Sequence, residues 1–283
     1  MSAEHWIPER LPLDRASAAR VYDYLLGGYH NFEVDRKVAH RLLETYPEAR
    51  LGAAANRAFL RRAVHFLIEQ GVEQILDLGS GIPTVGNVHE VAGAINPAAR
   101  VVYVDIDPIA VAHSRAMLED HPRATAIRAD VREPEVILNN PEVQSLLDLD
   151  RPLGLLLVTI LHYVVDDAEA FGLMRTFHDV MAPGSYCVIA HSCGDQQGKL
   201  RMRKIFSKVT STKARTRAQI LQLFDGFELV EPGLVETPLW RPEGPDDIYL
   251  DQPEKALTLA GAALKREREP SGVSRGDVAS HGG

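Results

Sequence analysis

An apolar run that ends in an acid and turns through two glycines constrains this chain more than any other stretch: Ile75-Leu76-Asp77-Leu78-Gly79-Ser80-Gly81-Ile82-Pro83-Thr84. The pattern suits a buried strand that breaks sharply towards a helix, because glycine accepts positive φ at little steric cost. The missing side chains also let a ligand approach the backbone. Free N–H groups at the start of the following helix would favour an anionic group there. Taken alone, the turn is explained equally well as a tight strand-to-helix connection with nothing bound.

Two more strand ends shift that balance. Val101-Val102-Tyr103-Val104-Asp105 places an acid where a ribose-binding carboxylate is expected, about 20 residues beyond the turn. Ile106 follows and is placed to lie against an adenine face, whereas Asp107 and Pro108 read as the N-cap and first residue of a helix. Ala126-Ile127-Arg128-Ala129-Asp130-Val131 then ends a third strand in an acid that can accept from an adenine amino group. Acids at three successive strand ends, after such a turn, point to a nucleoside cofactor.

The flanking pattern agrees. Gln74–Leu78, Arg100–Val104, Thr125–Ala129, Leu153–Ile160 and Ser185–Ala190 read as strands separated by helix-like stretches. Such alternation predicts a parallel sheet covered on both faces. Helices are expected at Asp14–Leu26, stopped by Gly27-Gly28, and at Ala53–Gln70, and Phe227–Glu231 reads as a further strand. Leu257–Leu264 is ambiguous, its alanines favouring a helix and its position an edge strand. Arg266–Gly283, rich in charge, Gly and Ser, reads as a disordered tail.

The chain resembles the Rossmann-like S-adenosylmethionine-dependent methyltransferases, and more closely a bacterial S-adenosyl methyltransferase family whose acceptor is unassigned. The closer resemblance rests on Arg20-Val21-Tyr22-Asp23-Tyr24-Leu25-Leu26-Gly27-Gly28, Asn56-Arg57-Ala58-Phe59-Leu60-Arg61-Arg62-Ala63-Val64 and Gly86-Asn87-Val88-His89-Glu90-Val91. It continues through Phe224-Asp225-Gly226 and Leu229-Val230-Glu231-Pro232-Gly233-Leu234-Val235, so it spans about Leu11 to Arg241. One departure is Pro83, where the wider superfamily often has a third glycine.

The resemblance implies an α/β sheet in order 3-2-1-4-5-7-6, with strand 7 antiparallel, and favours the strand reading of Leu257–Leu264. It implies S-adenosylmethionine held by Asp77, Gly79, Ser80, Gly81, Asp105, Ile106, Asp130, Val131 and Thr159, with the methionine carboxylate at the helix start after the turn. Residues 1–50 would be a helical lid contributing Tyr22 and Asn31, residues 51–265 the cofactor-binding domain and residues 266–283 the tail. Helix packing for Tyr22 and Tyr24, and turn chemistry for Asn31, fit those lid residues as well.

Methyl transfer from a sulfonium needs an aligned acceptor and sometimes a base. His162, just past the fourth strand, is the candidate base or orienting group, with a hydrogen-bonded structural histidine as its alternative. Tyr163 and His191 are weaker candidates. There is no G-x-S-x-G elbow and no H-E-x-x-H or related metal spacing, so a serine hydrolase and a metal site are not expected. Gly198–Arg217 is basic and lacks acids, but its interleaved apolar residues suggest an amphipathic helix with solvated charges.

A formal net charge of −8 disfavours a broad nucleic-acid surface. The sequence does not identify the acceptor, for which a small molecule ranks ahead of protein and nucleic acid. Two cysteines, no apolar N-terminal run and no membrane-length segment fit a cytoplasmic protein. Two rivals persist. An NAD(P)-dependent oxidoreductase would want Gly or Ala where Thr84 stands, and a non-catalytic S-adenosylmethionine-binding regulator needs no base at all. Oligomeric state is not legible in the sequence.

Overall fold

The computed structural model describes residues 14–84, 86–193, 211–244 and 247–267. The strands are β1 (Gln74–Leu78), β2 (Arg100–Asp105), β3 (Ala124–Arg128), β4 (Gly154–Val158), β5 (Tyr186–Ser192), β6 (Glu228–Leu229), β7 (Val235–Glu236) and β8 (Thr258–Leu264). They form one sheet in the order β3-β2-β1-β4-β5-β8-β6, with β7 also paired to β8. The first five strands are parallel, and β8 runs antiparallel to both β5 and β6. This is the expected arrangement, with β8 as the seventh strand of that scheme and β7 as a two-residue addition.

Tertiary pairing overrides local propensity at β8. All seven of its residues, Thr258 to Leu264, pair with β5, and its alanines are small enough to lie buried within the sheet. The expected strand over 227–231 is shorter, because Pro232 has no N–H with which to extend a ladder.

The helices are α1 (Ala18–Leu25), α2 (Glu33–Thr45), α3 (Ala49–Glu69), α4 (Val88–Ile95), α5 (Pro108–Met117), α6 (Pro134–Leu138), α7 (Pro141–Leu146), α8 (Asp167–Val180) and α9 (Arg217–Gln222). Side-chain alternation splits the core into two layers. Ile75, Val101, Leu156 and Val188 pack with Phe59, Leu67, Val88 and Val111 of α3, α4 and α5. Their neighbours Leu76, Val102, Leu157 and Ile189 face Ile137, Val143, Phe177 and Ile220 of α6 to α9. A third cluster joins Val21, Leu25, Ala39, Leu42, Ala49 and Ala53, so α1, α2 and the start of α3 form their own small bundle.

The first helix, read over Asp14–Leu26 with Asp14 or Ser17 as its N-cap, runs from Ala18 with Ser17 in the N-cap position. Residues 198–210 of the basic segment and residues 268–283 of the expected tail lie outside the described residues. Within the described part, Arg215 corrects the expectation of solvated charge. It is fully buried, donates from Nε to Asp167 Oδ1 at 3.0 Å, and also binds the Leu161 and Val164 carbonyls.

Candidate active site

The carboxyl ends of the parallel strands open into a cavity of about 720 Å³. β1 lies at its middle, β2 and β3 to one side, and β4, β5 and β8 to the other. Side chains of α1, α2 and α3 wall the same space, including Tyr22, Leu25, Leu42 and Asn56. Of the sequence-predicted residues, Asp77, Gly79, Ser80, Gly81, Asp105, Ile106, Asp130, Val131, Thr159, His162 and Tyr22 all border it.

The two glycines of the turn do different work. Gly79 has φ +73, and a Cβ there would lie 2.5 Å from the Ile160 side chain, so it is excluded by packing as well as by backbone conformation. Gly81 has φ +68 and faces open space, leaving room for a ligand against the backbone.

The acids differ in environment. Asp105, at the last position of β2, accepts from Gly81 N (2.7 Å) through Oδ2 and from Asp107 N (2.8 Å) through Oδ1. Each oxygen keeps a second lone-pair direction, as two ribose hydroxyls require. Burial pushes its pKa up to about 6, against the pull of those backbone bonds. Asp77 is buried deeper in β1, and burial pushes its pKa up to about 7. Neither carboxylate has an Arg or Lys at ion-pair distance among the described residues. Asp130 is gripped through both oxygens by Arg132, which holds its pKa below the usual range. Ile106 is exposed beside them, as a residue stacking on a ligand would be.

Past β1, Thr159 directly follows β4 with φ +57, unusual for a β-branched residue and the mark of a constrained position. Its N–H donates to Ala190 O at 2.8 Å and its Oγ1 accepts from Asn56 Nδ2 at 3.4 Å. Tyr22 donates to Ala53 O at 3.1 Å and accepts from the same Asn56 amide at 3.0 Å. His162 lies in the 3-10 turn Leu161–Tyr163, its Nδ1 buried without a partner. Burial first, and then His191 and Arg215, push its pKa down to about 3. His191 is held from both sides, Nδ1 against Ser192 O and Nε2 against Arg215 Nη1, and reads as structural.

Two expectations need correction. Asn31 does not border the cavity: its Nδ2 donates to Asp23 Oδ2 (2.8 Å) and Gly28 O (2.9 Å), so it braces the bend after α1. The helix after the glycine turn does not offer free N–H groups beside it. α4 begins only at Val88, and Asn87, Glu90 and Tyr103 already occupy its first turn.

Sequence reasoning also missed Arg20 as a structural link. It binds Asp35 at 2.9 Å and Asp107 at 3.3 Å, partners 15 and 87 positions away, and no local signal marks it. Asp107 is the expected N-cap, accepting from Ile109 N at 2.8 Å, and also takes a bond from Ser17 Oγ. Among the described residues, no group of three or more His, Cys, Asp or Glu is placed to hold a metal. No helix there is long and apolar enough to cross a membrane.

A sheet in this order, with carboxylates at its strand ends around an open crevice, defines a Rossmann-like methyltransferase. The family model described as S-adenosyl methyltransferase matches residues 4–266. A provisionally assigned methyltransferase of known structure from Thermobifida fusca YX is 42% identical. The match covers 93% of this chain and 100% of that one, with a TM-score of 0.87. A DUF574 family protein from Streptomyces avermitilis is 33% identical, over 90% of this chain and 100% of its own, with a TM-score of 0.86. A search of the curated proteins found no match. The chain belongs to the S-adenosyl methyltransferase family and is an S-adenosylmethionine-dependent methyltransferase.

Proposed function

We propose that this enzyme methylates a small-molecule acceptor held between the sheet and its N-terminal helices. The observation that carries this reading is the cavity itself, which runs from the acids at β1, β2 and β3 to a largely apolar wall built by α1, α2, α3 and the segment around Leu257. A cavity walled in this way suits a compact ligand better than an extended polymer.

The residues present fit the cofactor. Two buried carboxylates without basic partners suit a nucleoside that carries its own cationic groups. In this reading Asp105 binds the ribose hydroxyls, Ile106 and Val131 flank the adenine, and Asp130 lies at its amino edge. Gly79, Ser80 and Gly81 shape the turn beside it, and Thr159 borders the methionine end. S-adenosylmethionine supplies a sulfonium methyl that is electrophilic without further activation. The protein's share is then to orient the acceptor, exclude water and accept a proton where the acceptor carries one. His162 is neutral at physiological pH and is assigned an orienting role. Residues 1–50 act as a lid, residues 51–265 as the catalytic domain and residues 266–283 as an appended tail, in a cytoplasmic protein.

Calorimetry with S-adenosylhomocysteine and NADH, followed by labelled methyl transfer into a metabolite extract, tests this reading. Binding of the sulfur compound and label in a low-mass product support it. Tight NADH binding without any response to S-adenosylhomocysteine overturns the cofactor, and label confined to protein or nucleic acid overturns the acceptor class.

A further inference from the structure

Charge divides the cavity into two ends. Among the described residues, its charged side chains come from the approach to α1 and its first turn (Arg15, Arg20), from α3 (Arg57) and from the ends of β1, β2 and β3 (Asp77, Asp105, Asp130 and their neighbours). No described Asp, Glu, Lys or Arg borders it from β4, β5, β8, α2 or the segments around Thr212 and Leu257. The basic residues that adjoin those segments turn to partners of their own. Lys213 and Arg215 pair with Asp167 at 2.8 and 3.0 Å, and Lys255 lies 3.9 Å from Glu48. Burial keeps His162, at the same end, in its neutral form.

Space and one polar contact come from a single face of α3. Ala49, Gly52, Ala53 and Asn56 recur at helical spacing, and all four border the cavity. The first three carry at most a methyl group, which leaves the space beside the helix open. This face looks on the uncharged end: a Cβ on Gly52 would come to 3.5 Å from Ala256 O, and Asn56 reaches Thr159. Asn56 is 4% exposed, and its Nδ2 donates to the Tyr22 hydroxyl at 3.0 Å and to Thr159 Oγ1 at 3.4 Å. Tyr22 uses its own proton on Ala53 O and can only accept from Asn56, which fixes the way round of the amide. Asn56 Oδ1 is left buried without a partner among the described residues. An unmet carbonyl in a dry site is unfavourable, and a ligand that donates a hydrogen bond to it relieves that strain on binding.

We propose that the uncharged end of the cavity selects a neutral, mainly apolar methyl acceptor whose hydroxyl or N–H group donates to Asn56 Oδ1. This rests on the small-molecule reading and narrows it. A carboxylate or ammonium group entering there would lose its water without meeting an opposite charge, which is far costlier than desolvating a neutral group. A neutral ring or chain gains apolar contact with Leu25, Leu42 and Leu257, which wall the cavity with α3. Asn56 is then a positioning residue: it sets which way the acceptor lies and takes no proton from it.

The test is calorimetry at pH 7 on the full chain saturated with S-adenosylhomocysteine, using four probes of similar shape: 2-naphthol, 2-methoxynaphthalene, 2-naphthoate and 2-naphthylmethylammonium. Naphthol should bind tightest, with both ions weaker by about tenfold or more and the methoxy compound, which cannot donate, by about threefold. Asn56→Leu should erase the difference between naphthol and its methyl ether, with S-adenosylhomocysteine affinity within about threefold of the parent. Gly52→Leu fills the space and leaves Asn56 in place. It should weaken naphthol by about tenfold without that effect on S-adenosylhomocysteine, and it carries the test if the Asn56 variant does not fold. The proposal is overturned if naphthol does not bind, if either ion binds as tightly, if the naphthol preference survives Asn56→Leu, or if a variant weakens S-adenosylhomocysteine as much as naphthol. Those results leave the cofactor reading intact. A parent that binds no S-adenosylhomocysteine, or methyl label confined to protein or nucleic acid, removes the earlier reading and this proposal with it.

Discussion

Arg20 Nη1 lies 3.3 Å from Asp107 Oδ2, which ties the first helix to the chain two residues beyond the carboxylate that ends β2. Arg20 also holds Asp35 at the start of α2, and Ser17 N donates to the other oxygen of Asp35 at 2.9 Å. One buried guanidinium thus joins both N-terminal helices to the side of the cavity where Asp105 lies. The N-terminal bundle has only a small apolar cluster of its own, so this polar joint positions it over the sheet.

Arg20→Ala should therefore act at a distance from any ligand. It leaves Asp35 and Asp107 buried without their cation, a change that costs about 3–5 kcal/mol when one partner of a buried pair is removed. Chemical unfolding should register that loss. Hydrogen exchange should show residues 14–50 losing protection first, and S-adenosylhomocysteine should restore less of it than in the parent. A loss below about 1 kcal/mol, the size of an exposed pair, would show that the joint is not structural.

Asp105→Ala should weaken S-adenosylhomocysteine binding by about tenfold or more, since hydrogen bonds to a charged group are worth about 1.5–3 kcal/mol. Removing the carboxylate also frees Gly81 N and Asp107 N, so unfolding must be followed in parallel. A folded variant with unchanged affinity would move the ribose elsewhere.

Asp77 and Asp105 set a pH dependence whose sign can be worked out. Both carboxyls have pKa values raised by burial, to about 7 and about 6, above the unfolded value of 3.8. The folded, ligand-free protein therefore favours their neutral forms, and that contribution to stability is lost as pH rises through 6 to 7. Asp77→Asn should raise the ligand-free melting temperature at pH 8 and change it little at pH 4. The ammonium group and ribose hydroxyls of S-adenosylhomocysteine are bound better by ionised carboxylates than by neutral ones, so its affinity in the parent should fall as pH drops from 8 to 5. Affinity flat across that range would show that neither carboxyl titrates on binding.

The local signals in the sequence were strong where backbone and burial decide structure. The strand ends at Asp77, Asp105 and Asp130 were legible because near-continuous apolar runs mark buried parallel strands. β8 was not legible from its alanines, because its pairing with β5 is a tertiary choice. Arg20 and Arg215 were hidden for a different reason: a charged residue on a helix or loop looks solvated until its distant partners are known. The anion-binding helix start failed as an expectation because Asn87 and Glu90 cap α4 themselves, a box that is visible in the sequence once the helix start is placed at Val88.

His162 is the residue on which geometry and chemistry press hardest. It borders the cavity beyond β4, where a methyl acceptor would lie, yet burial pushes its pKa down to about 3. A base that weak is neutral at pH 7 and has little driving force to take a proton, because efficient general bases titrate near the working pH. Its ring should therefore show no titration by NMR between pH 5 and 8. Below that range the sign is fixed: the folded pKa lies below the unfolded 6.5, so the stability from a neutral ring is complete above about 6.5 and drains away as pH falls towards 3. His162→Gln should flatten that acid-side loss, since glutamine is close to histidine in size and cannot charge. With an acceptor in hand, the same variant should turn over within a few-fold of the parent, with an unshifted pH profile. A ring that titrates near pH 6–7, or a fall in turnover of about 10²–10⁴-fold with cofactor affinity intact, would instead establish His162 as the base.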